Sequence, residues 1–596
     1  MGFLSFLNRS QVSEPVEKES TATTPSGGRT PQRPLSPAAG VPTEHDFQAQ
    51  LSAKDAPLFA YILGGVASMG GFMFGYQTGQ ISDERFQTRF AACNSQTGQC
   101  TFRPARQGTI VGLFSIGTLI GSLIAAPIAD RIGRRLTISF WAFFFMIGTV
   151  LEISSSHVWV QFAMGRFVGG HGIGALSVVV PMYQSESTPR MIRGVIVSSY
   201  QLMVTLGYVY VLYGVRIDVN WGTESLQGSQ SWRITNGLSF LWALVLGVAI
   251  LGLPESPRFA YRVGREEEAR KNMARLYKNH PVINLEIQEI EEKLDAERVG
   301  GAHPCVRITF VYPSDEIFTA PRMLYRTLLG MVLQAGQQLT GANYFFYYGT
   351  TVFSATGLSN SYVTQILLSS VNEGGTIAGL WLIENCGRRK ALMGGAAWMF
   401  MCFMIFAFVG HFSLDHQNPA ATPQAGAALV VFSCLFIIAF AMTWGPIFSA
   451  IVGELYPARY RATCMGLATS SNWLFNFLIG FFTTFITAKI DYLYGFVFAG
   501  CCFALFFIVY FFVIETKGRS LEECQVESSQ LMRDGDGLVK TDDLYLEAGG
   551  NRFAKDEHSV HEMIPSHDEN APGPSHTSNA DIEKAESSGA ESRSAL

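Results

Sequence analysis

Twelve runs of mostly apolar residues, each about as long as a bilayer is thick, constrain this chain more than any other feature. The hydrocarbon core of a membrane needs roughly 20 consecutive apolar residues in a helix to cross it. The first six runs fall near 58–80, 108–128, 136–154, 158–181, 195–215 and 234–253, and the second six near 327–354, 363–383, 390–411, 427–452, 463–488 and 492–514. The sequence therefore predicts an all-α membrane protein with twelve transmembrane helices in two sets of six.

The composition agrees with lipid as the solvent of this chain. Only 15% of its residues are charged, whereas a soluble domain averages about 25%. The net charge of −5 gives no reason to expect a nucleic-acid partner. The sequence also shows no metal-ligand cluster, no nucleophile motif and no phosphate-binding loop, so we expect neither an enzyme nor a cofactor or metal.

The apolar runs and the polar stretches around them divide the chain into five parts. The two ends are rich in Ser, Thr, Pro and Glu and cannot bury enough apolar surface to fold. The first 50 residues contain no apolar core of a signal peptide, so we expect the first span to be an uncleaved anchor. The predicted parts are a disordered N-terminal tail (1–55), a first bundle (56–253), a helical linker (254–325), a second bundle (326–514) and a largely disordered C-terminal tail (515–596).

The Lys and Arg residues of the short loops predict the orientation of the chain. They are concentrated in the loops after spans 2, 4, 8 and 10, and the loop after span 1 is an exception with four Arg residues. The majority places both chain ends and the linker in the cytoplasm. The loop after span 1 then lies outside, where a disulfide between Cys93 and Cys100 can form, although the sequence does not decide whether it does.

Three motifs occur once in each half of the chain. DRIGRR at 130–135 returns as ENCGRRK at 384–390, and Pro-Glu-Ser after span 6 returns as Ile-Glu-Thr after span 12. Glu186-x-x-Pro189-x-x-x-Arg193 returns as a Glu-x-x-Pro-x-x-x-Arg motif that begins at Glu454. Two homologous halves of this kind pack around an axis along the membrane normal, with the substrate site between them near the midplane.

These motifs, in their order along residues 58–523, resemble the sugar porter family of the major facilitator superfamily. The motifs include GSLIAAPIADRIGRR, GRFVGGHGIG, PESPR, QQLTGANYFFYY, WGPIFSAIVGELYPARYRA and ETKGRSLEE. The overall pattern resembles filamentous-fungal hexose transporters and glucose sensors. The resemblance implies transport of a monosaccharide, a glucose-like hexose, by alternating access in a multi-pass plasma-membrane protein. The alternatives are a transporter-like glucose sensor that signals through its tail, with cytoplasmic regulators as partners, and a proton-coupled symporter.

A neutral sugar needs side chains that both donate and accept hydrogen bonds, which amides do. A charged side chain in the site would carry a desolvation cost without a matching gain. In span 7, QAGQQLTGAN places three Gln residues close to one helix face. The resemblance implies that the sugar contacts Gln201, Gln334, Gln337, Gln338, Asn343, Asn372, Trp473 and Asn476. For any lone amide the alternative is a hydrogen bond between helices, and this alternative is strongest for Asn372 and Asn476.

Charged motifs recur at the helix ends that the loop charges place in the cytoplasm. The resemblance implies latches that hold the outward-facing state and break when the halves rock inward, while the alternative is that these Arg residues only set the orientation. Two Tyr residues towards the end of span 7 are expected to close over the sugar, and for Tyr348 alone the alternative is an interfacial aromatic belt. The gating and latch residues implied are Asp130, Arg134, Arg135, Arg166, Glu186, Arg193, Tyr347, Tyr348, Glu384, Arg388, Glu454 and Arg461.

Two positions depart from the family pattern. Span 1 reads FGYQTG, and Gln77 stands where proton-coupled members carry an Asp that resembles the proton acceptor. Gln cannot titrate, and Arg166 would lack that Asp as a partner, which favours facilitated diffusion. Glu152 and Glu373 lie inside predicted spans and keep proton coupling through another group open. Ser449 replaces an aromatic residue that many relatives carry, which favours altered transport or specificity.

Overall fold

A computed structural model describes most of the helical part of the chain. The described residues are 57–79, 92–93, 100–101, 104–155, 158–221, 230–277, 283–284, 286–288, 290–291, 318, 323–346, 361–415, 422–447, 451–452, 455–456 and 460–513. The two predicted tails and most of the predicted linker lie outside these residues.

Six long helices and a two-stranded pairing make up the first part of the chain. Strand β1 (Ala92–Cys93) pairs antiparallel with β2 (Cys100–Thr101) between the first two helices. The helices are α1 (Leu58–Gly79), α2 (Pro104–Ile132), α3 (Arg134–Ile153), α4 (Trp159–Ser187), α5 (Arg190–Trp221) and α6 (Gln230–Ala249), the last continuing as a short 3₁₀ turn over Ile250–Gly252.

Two short helices and six further long ones follow. The short helices are α7 (Pro257–Arg262) and α8 (Glu266–Tyr277). The long helices are α9 (Met323–Leu339), α10 (Ser361–Cys386), α11 (Arg388–Phe408), α12 (Pro423–Met442), α13 (Arg461–Ile490) and α14 (Tyr494–Phe512). Among the described residues, eight helices are long and apolar enough to cross a membrane by length and composition alone.

Each predicted span overlaps one of these long helices, but two spans are interrupted. The prediction of a single helix over 327–354 is wrong, because α9 ends at Leu339 and Gly341 takes a backbone φ of 89° before helix resumes at 342–346. The prediction of a single helix over 427–452 is also wrong, because α12 ends at Met442 and a turn covers 443–446. Broken helices at membrane depth occur where the backbone is buried in protein or lines a cavity.

The long helices pack as two bundles with the same internal arrangement. In the first bundle α1 packs on α5, α2 on α4, and α3 on both α4 and α6. In the second bundle α9 packs on α13, α10 on α12, and α11 on both α12 and α14. These are the equivalent pairs of the second set of six helices. The bundles meet along α2 with α13 and along α5 with α10, and these two contacts are exchanged by the same pseudo-symmetry.

The repeated glycine-arginine motif forms the same turn in both bundles. Gly133 joins α2 to α3 with φ 92° and ψ 165°, and Gly387 joins α10 to α11 with φ 82° and ψ 158°. A positive φ of this kind is available to glycine without a steric penalty. The sequence repeat therefore corresponds to a structural repeat at the same end of the two bundles. We call this end, where α7 and α8 also lie, the linker end.

One apolar core joins the first bundle to part of the second, chiefly α13, and another fills the rest of the second bundle. The first core is rich in small residues from α1, α2 and α4, such as Ala67, Ala125 and Ala175, which allow the helices to approach closely. The second core is aromatic, with Phe345, Phe403 and other rings of α11 and α14 in mutual contact. Large apolar side chains remain exposed on the outside of both bundles, as expected for surfaces that face lipid.

Gly174 on α4 is a sharp test of this packing. A Cβ atom there would lie 1.9 Å from the Thr118 carbonyl oxygen of α2, a backbone atom that cannot move aside alone. We expect Gly174→Ala to destabilise the protein by about 1–3 kcal/mol through overpacking. Gly500→Ala on α14, where a Cβ atom meets nothing within 4 Å, is the control. Thermal unfolding of the detergent-solubilised proteins measures both, and equal unfolding temperatures would contradict the α2–α4 contact.

Candidate functional site

A cavity of about 150 Å³ lies between the two bundles, roughly halfway along the helices. Its walls come from α1, α4 and α5 of the first bundle and from α9, α10, α12 and α13 of the second. The described lining includes all eight residues that the sequence predicted for the sugar: Gln201, Gln334, Gln337, Gln338, Asn343, Asn372, Trp473 and Asn476.

The amides of α9 and α13 form one hydrogen-bonded network at the cavity wall. The Gln338 amide nitrogen donates to Asn472 Oδ1 at 2.7 Å, and Gln338 Oε1 accepts from the amide nitrogen of Asn343 and, at 3.4 Å, from that of Asn476. The Asn472 amide donates at 2.7 Å to Gln337 Oε1. Such a network fixes side-chain orientation in advance, because each amide is held by its neighbours.

Asn472 occupies the centre of this network, and the sequence prediction missed it. Its amide nitrogen also donates to the Gln334 carbonyl at 2.9 Å, so it ties α13 to α9. A signal was present in the sequence: Asn472 and Asn476 are four residues apart and share one face of a helix in an apolar span.

The opposite wall leaves one hydrogen-bond acceptor open. Asn372 on α10 is 6% exposed and lines the cavity, and its Oδ1 atom has no partner among the described residues. A buried amide oxygen without a partner costs free energy that a ligand donor can recover. Across the cavity, α5 contributes Gln201 and the hydroxyl-bearing Tyr200. The cavity therefore offers both donors and acceptors, and its described lining carries no charged side chain.

Trp473 forms the aromatic part of the wall. Its ring lies edge-on to Phe74 of α1, with 5.1 Å between ring centres, and its indole N–H donates to Ser177 Oγ of α4 at 3.2 Å. The tryptophan belongs to the second bundle and both partners to the first. An apolar ring face held in this way can stack on the C–H face of a polar ring compound.

Other polar contacts also connect the two bundles beside the cavity. Ser115 Oγ donates to Asn476 Oδ1 at 2.7 Å, which links α2 to α13. Thr205 on α5 and the Glu373 carboxyl group on α10 share a hydrogen bond. Glu373, which the sequence flagged as an acid inside a span, therefore bonds a residue of the cavity wall. Towards the end away from the linker, the Tyr208 hydroxyl donates to the Phe346 carbonyl at 3.0 Å.

A charged cluster ties the ends of α2, α3 and α4 together at the linker end. The Arg134 guanidinium lies 2.9 Å from Glu186 Oε2 and 3.2 Å from Asp130 Oδ1. Asp130 also pairs with Arg262 of α7 at 2.6 Å, and Ser256 Oγ donates to Glu186 at 2.6 Å. The predicted latch residues Asp130, Arg134 and Glu186 therefore meet, and the linker joins them.

Glu255, just after the 3₁₀ turn that follows α6, caps the beginning of α3. Its carboxylate accepts hydrogen bonds from the backbone N–H groups of Arg134, Arg135 and Ser256, at 2.9 to 3.3 Å. An acid here complements the positive end of the helix dipole. Burial raises the pKa of Glu255, and these backbone hydrogen bonds oppose the rise. The sequence prediction did not include this residue among the latches, although it is the acid of the PESPR motif.

The other predicted latch arginines bond to nearby carbonyl oxygens or approach the neighbouring bundle. Arg135 donates to the Leu253 carbonyl at 3.2 Å, Arg193 to the Thr188 carbonyl at 3.3 Å, and Arg461 to the Tyr456 carbonyl at 3.3 Å. A terminal nitrogen of Arg388 lies 3.9 Å from the position of a Cβ atom built on Gly194, so α11 of the second bundle approaches α5 of the first.

Several predicted residues lie outside what the structure describes. Tyr347, Tyr348, Glu454 and Ser449 fall in undescribed segments, and Glu384 lies in α10 with its side chain undescribed. The backbones of Cys93 and Cys100 are directly paired in register between β1 and β2, while their side chains are undescribed. The latch, gate and disulfide predictions for these residues stay predictions.

Arg166 lies far from the linker-end cluster of charges. It is buried towards the opposite end of the first bundle. Its guanidinium donates to the Gln77 carbonyl at 3.4 Å and lies 4.7 Å from the Phe114 ring centre. The Gln77 side chain in turn donates to the Glu152 carboxylate of α3 at 2.8 and 3.0 Å, so the arginine and the acid both bond Gln77.

Two pseudo-symmetric six-helix bundles around a central polar cavity define a membrane carrier of the major facilitator type. The proton:xylose symporter XylE, bound to 6-bromo-6-deoxy-D-glucose, has this fold, with a TM-score of 0.67 at 23% identity over 79% of this chain and 99% of that one. The inward-open form of XylE from E. coli matches with a TM-score of 0.60 at 22% identity, over 78% and 99% of the two chains.

The chain belongs to the Sugar (and other) transporter family, whose model matches residues 63–527. It is 43% identical to the high-affinity glucose transporter ght5 of Schizosaccharomyces pombe, over 76% of this chain and 82% of the relative. It is 40% identical to the low-affinity glucose transporter HXT1 of Saccharomyces cerevisiae, over 77% and 80% of the two chains. The protein is therefore a multi-pass membrane transporter and not an enzyme.

Removal of Arg134 tests the charged cluster. Arg134→Ala leaves the buried Glu186 carboxylate without its guanidinium, and we expect a loss of stability of about 3 kcal/mol or more. Arg265→Ala is the matched control, because Arg265 pairs with Glu268 at 3.4 Å with both side chains largely exposed, and we expect an effect below about 1 kcal/mol. Thermal unfolding in detergent provides the comparison. A similar effect of both substitutions would show that the Arg134 pair adds nothing beyond a surface contact.

Proposed function

We propose that this protein carries a glucose-like hexose across a membrane by facilitated diffusion and alternating access. The observation that carries the proposal is the cavity between the bundles, whose described lining is uncharged and rich in amides held in a fixed network. Sugar hydroxyls both donate and accept hydrogen bonds, and an amide side chain offers both functions. The open Oδ1 atom of Asn372 adds an acceptor for a sugar hydroxyl, and the Trp473 ring adds a stacking face.

The names of the relatives support a hexose as the substrate. Besides the two glucose transporters, the chain is 42% identical to the high-affinity fructose transporter ght6 of Schizosaccharomyces pombe, over 76% of this chain and 84% of the relative. Relatives that are named for different sugars and different affinities are about equally similar to this chain. Two of these three relatives are named as glucose transporters, so we favour glucose.

Alternating access fits the way in which the two bundles meet. The contacts of α2 with α13 and of α5 with α10 are related by the pseudo-symmetry, so rocking about one axis moves both together. Hydrogen bonds across these contacts, such as Ser115 with Asn476 and Thr205 with Glu373, lie beside the cavity. We propose that the linker-end ion pairs of Arg134 with Glu186 and Asp130 hold one state, and that the segment after α9, which includes Tyr347 and Tyr348, closes the opposite end over the sugar.

Orientation and location follow from the charges of the loops. We propose that the linker end faces the cytoplasm, together with both tails, and that the membrane is the plasma membrane. Regulators that bind the polar tails are then cytoplasmic.

Uptake by the purified protein tests the proposed function directly. In liposomes, the protein should equilibrate labelled glucose across the membrane and leave the luminal pH unchanged, because Gln77 cannot bind or release a proton. The measurements are radiolabelled glucose uptake and the signal of an enclosed pH-sensitive dye. In cells that lack hexose carriers, the protein should also restore growth on glucose.

Three outcomes would contradict this proposal. Glucose-driven proton movement would show that the protein is a proton symporter and does not work by facilitated diffusion. Absence of uptake together with sugar-dependent signalling that requires residues 515–596 would identify a sensor. Absence of glucose binding to the purified protein would show that the cavity is not a glucose-binding site.

Substitution of Gln338 tests the amide network. Gln338→Ala removes the partner of Asn343, Asn472 and Asn476 at once. We expect glucose binding to weaken by about 1 kcal/mol or more, which is roughly fivefold in Kd. Gln161→Ala is the control, because Gln161 lies on α4 outside the cavity and bonds Ser154 at an exposed position. Unchanged affinity in Gln338→Ala, measured by quenching of tryptophan fluorescence, would move the sugar site away from this network.

A further inference from the structure

An acid lies at the contact between α5 and α10 and belongs neither to the described cavity lining nor to the linker-end cluster. Glu373 follows Asn372 of the cavity wall on α10 and is half-buried. Its carboxyl group bonds the hydroxyl of Thr205 on α5. Thr205 is 2% exposed and lines the cavity. Glu373 of the second bundle therefore holds a residue of the cavity wall that belongs to the first.

The described helices that pack on α10 bring no positive charge to the depth of Glu373. These helices are α12, α5 and, over a smaller contact, α11. Neither α12 nor the stretch of α5 over 195–215 contains Asp, Glu, Lys, Arg or His, and in α11 such residues occur only at 388–390. Those residues lie at the linker end, about four helical turns from Glu373. An ionised acid without a cation is costly at membrane depth, so the surroundings favour a neutral carboxyl group.

The hydrogen atoms available at Thr205 also favour a neutral acid. Thr205 Oγ1 lies 2.9 Å from the Leu202 carbonyl oxygen of its own helix and within hydrogen-bond distance of Glu373. A hydroxyl group has a single hydrogen atom to donate. An ionised Glu373 would compete with the Leu202 carbonyl for that hydrogen atom. A neutral Glu373 instead donates to Thr205 while Thr205 donates to Leu202, so that both contacts are hydrogen bonds.

We propose that Glu373 remains a neutral carboxylic acid during transport, and that its hydrogen bond to Thr205 positions the α5 wall of the cavity against α10. The inference rests on the proposed function as a sugar carrier. It makes Glu373 a positioning residue, which acts through Thr205 and does not touch the sugar. It also explains how an acid inside a span is compatible with facilitated diffusion, because a proton that stays on the acid is not released across the membrane.

Three substitutions separate the hydrogen bond from the charge. Glu373→Gln keeps the shape of the side chain and a donor for Thr205, and it carries no charge at any pH. Glu373→Leu removes the donor. Thr205→Val removes the hydroxyl and nearly keeps the shape. Thr487→Val on α13 is the control for loss of a hydroxyl, because Thr487 donates to the Thr483 carbonyl of its own helix at 2.7 Å.

Infrared spectroscopy of the purified proteins measures the protonation state of the acid. The C=O stretch of a neutral carboxyl group is separate from the stretches of a carboxylate. We expect the unmodified protein at pH 7 to show a neutral-carboxyl signal that Glu373→Gln lacks. This signal does not depend on sugar transport. Absence of glucose uptake by the unmodified protein would therefore contradict the proposed function, whereas absence of the signal would contradict the present inference.

Glucose uptake in proteoliposomes and thermal unfolding in detergent are measured for the same proteins. We expect Glu373→Leu and Thr205→Val each to reduce uptake roughly fivefold, because the hydrogen bond between α5 and α10 is lost. Glu373→Gln should keep most of the uptake that Glu373→Leu loses. The double variant Glu373→Leu with Thr205→Val should transport no worse than either single variant, since both remove the same bond. Thr487→Val should transport like the unmodified protein.

Opposite results would overturn the inference. Uptake by folded Glu373→Gln as low as that of Glu373→Leu would show that the side chain has to carry a charge or exchange a proton. Unimpaired uptake by Thr205→Val would show that the bond does not position the cavity wall, and this variant tests the bond even if Glu373→Leu does not fold. Glucose-driven proton entry that disappears in Glu373→Gln would make Glu373 a proton carrier.

Discussion

The bilayer offers no hydrogen-bond partners, and this single constraint organises the whole molecule. Each polar side chain within a span has to find a partner inside the protein or leave a neutral space for a polar ligand. The first bundle meets this demand at Gln77, whose side chain bonds Glu152 and whose carbonyl accepts a hydrogen bond from Arg166. The second bundle meets it with the amides of α9 and α13, which bond one another around the cavity.

The contacts within each bundle differ in kind from some of the contacts between the two bundles. Within each bundle, close helix packing and an apolar core resist deformation. Between the bundles, hydrogen bonds such as Ser115 with Asn476 and Thr205 with Glu373 lie next to the cavity. A contact of this kind can break and reform at moderate cost. Our proposal of bundles that rock about the site requires these hydrogen bonds, and the apolar contacts of α13 with the first bundle, to break and reform.

Much of the fold could be predicted because lipid imposes a simple rule on the sequence. Helix length and apolar composition located every span, although two of them are interrupted, and the doubled motifs predicted two halves, which have matching turns at Gly133 and Gly387. The interruptions after Leu339 and Met442 could not be predicted from hydropathy. An apolar run looks the same whether its backbone bonds within one helix or to neighbouring parts of the protein. The cavity amides were predictable as a set because neutral polar residues are rare in apolar spans.

The sequence by itself determined the number of spans, the pseudo-symmetry and the amide character of the site, because these depend on local composition and on repeated motifs. Only the tertiary structure decided that Asn472 joins the cavity network and that Gln77 of α1 bonds the Glu152 carboxylate of α3. These pairings join residues far apart in the chain. They depend on how helices cross in space, and no pattern within one helix encodes which face of a neighbour it will meet.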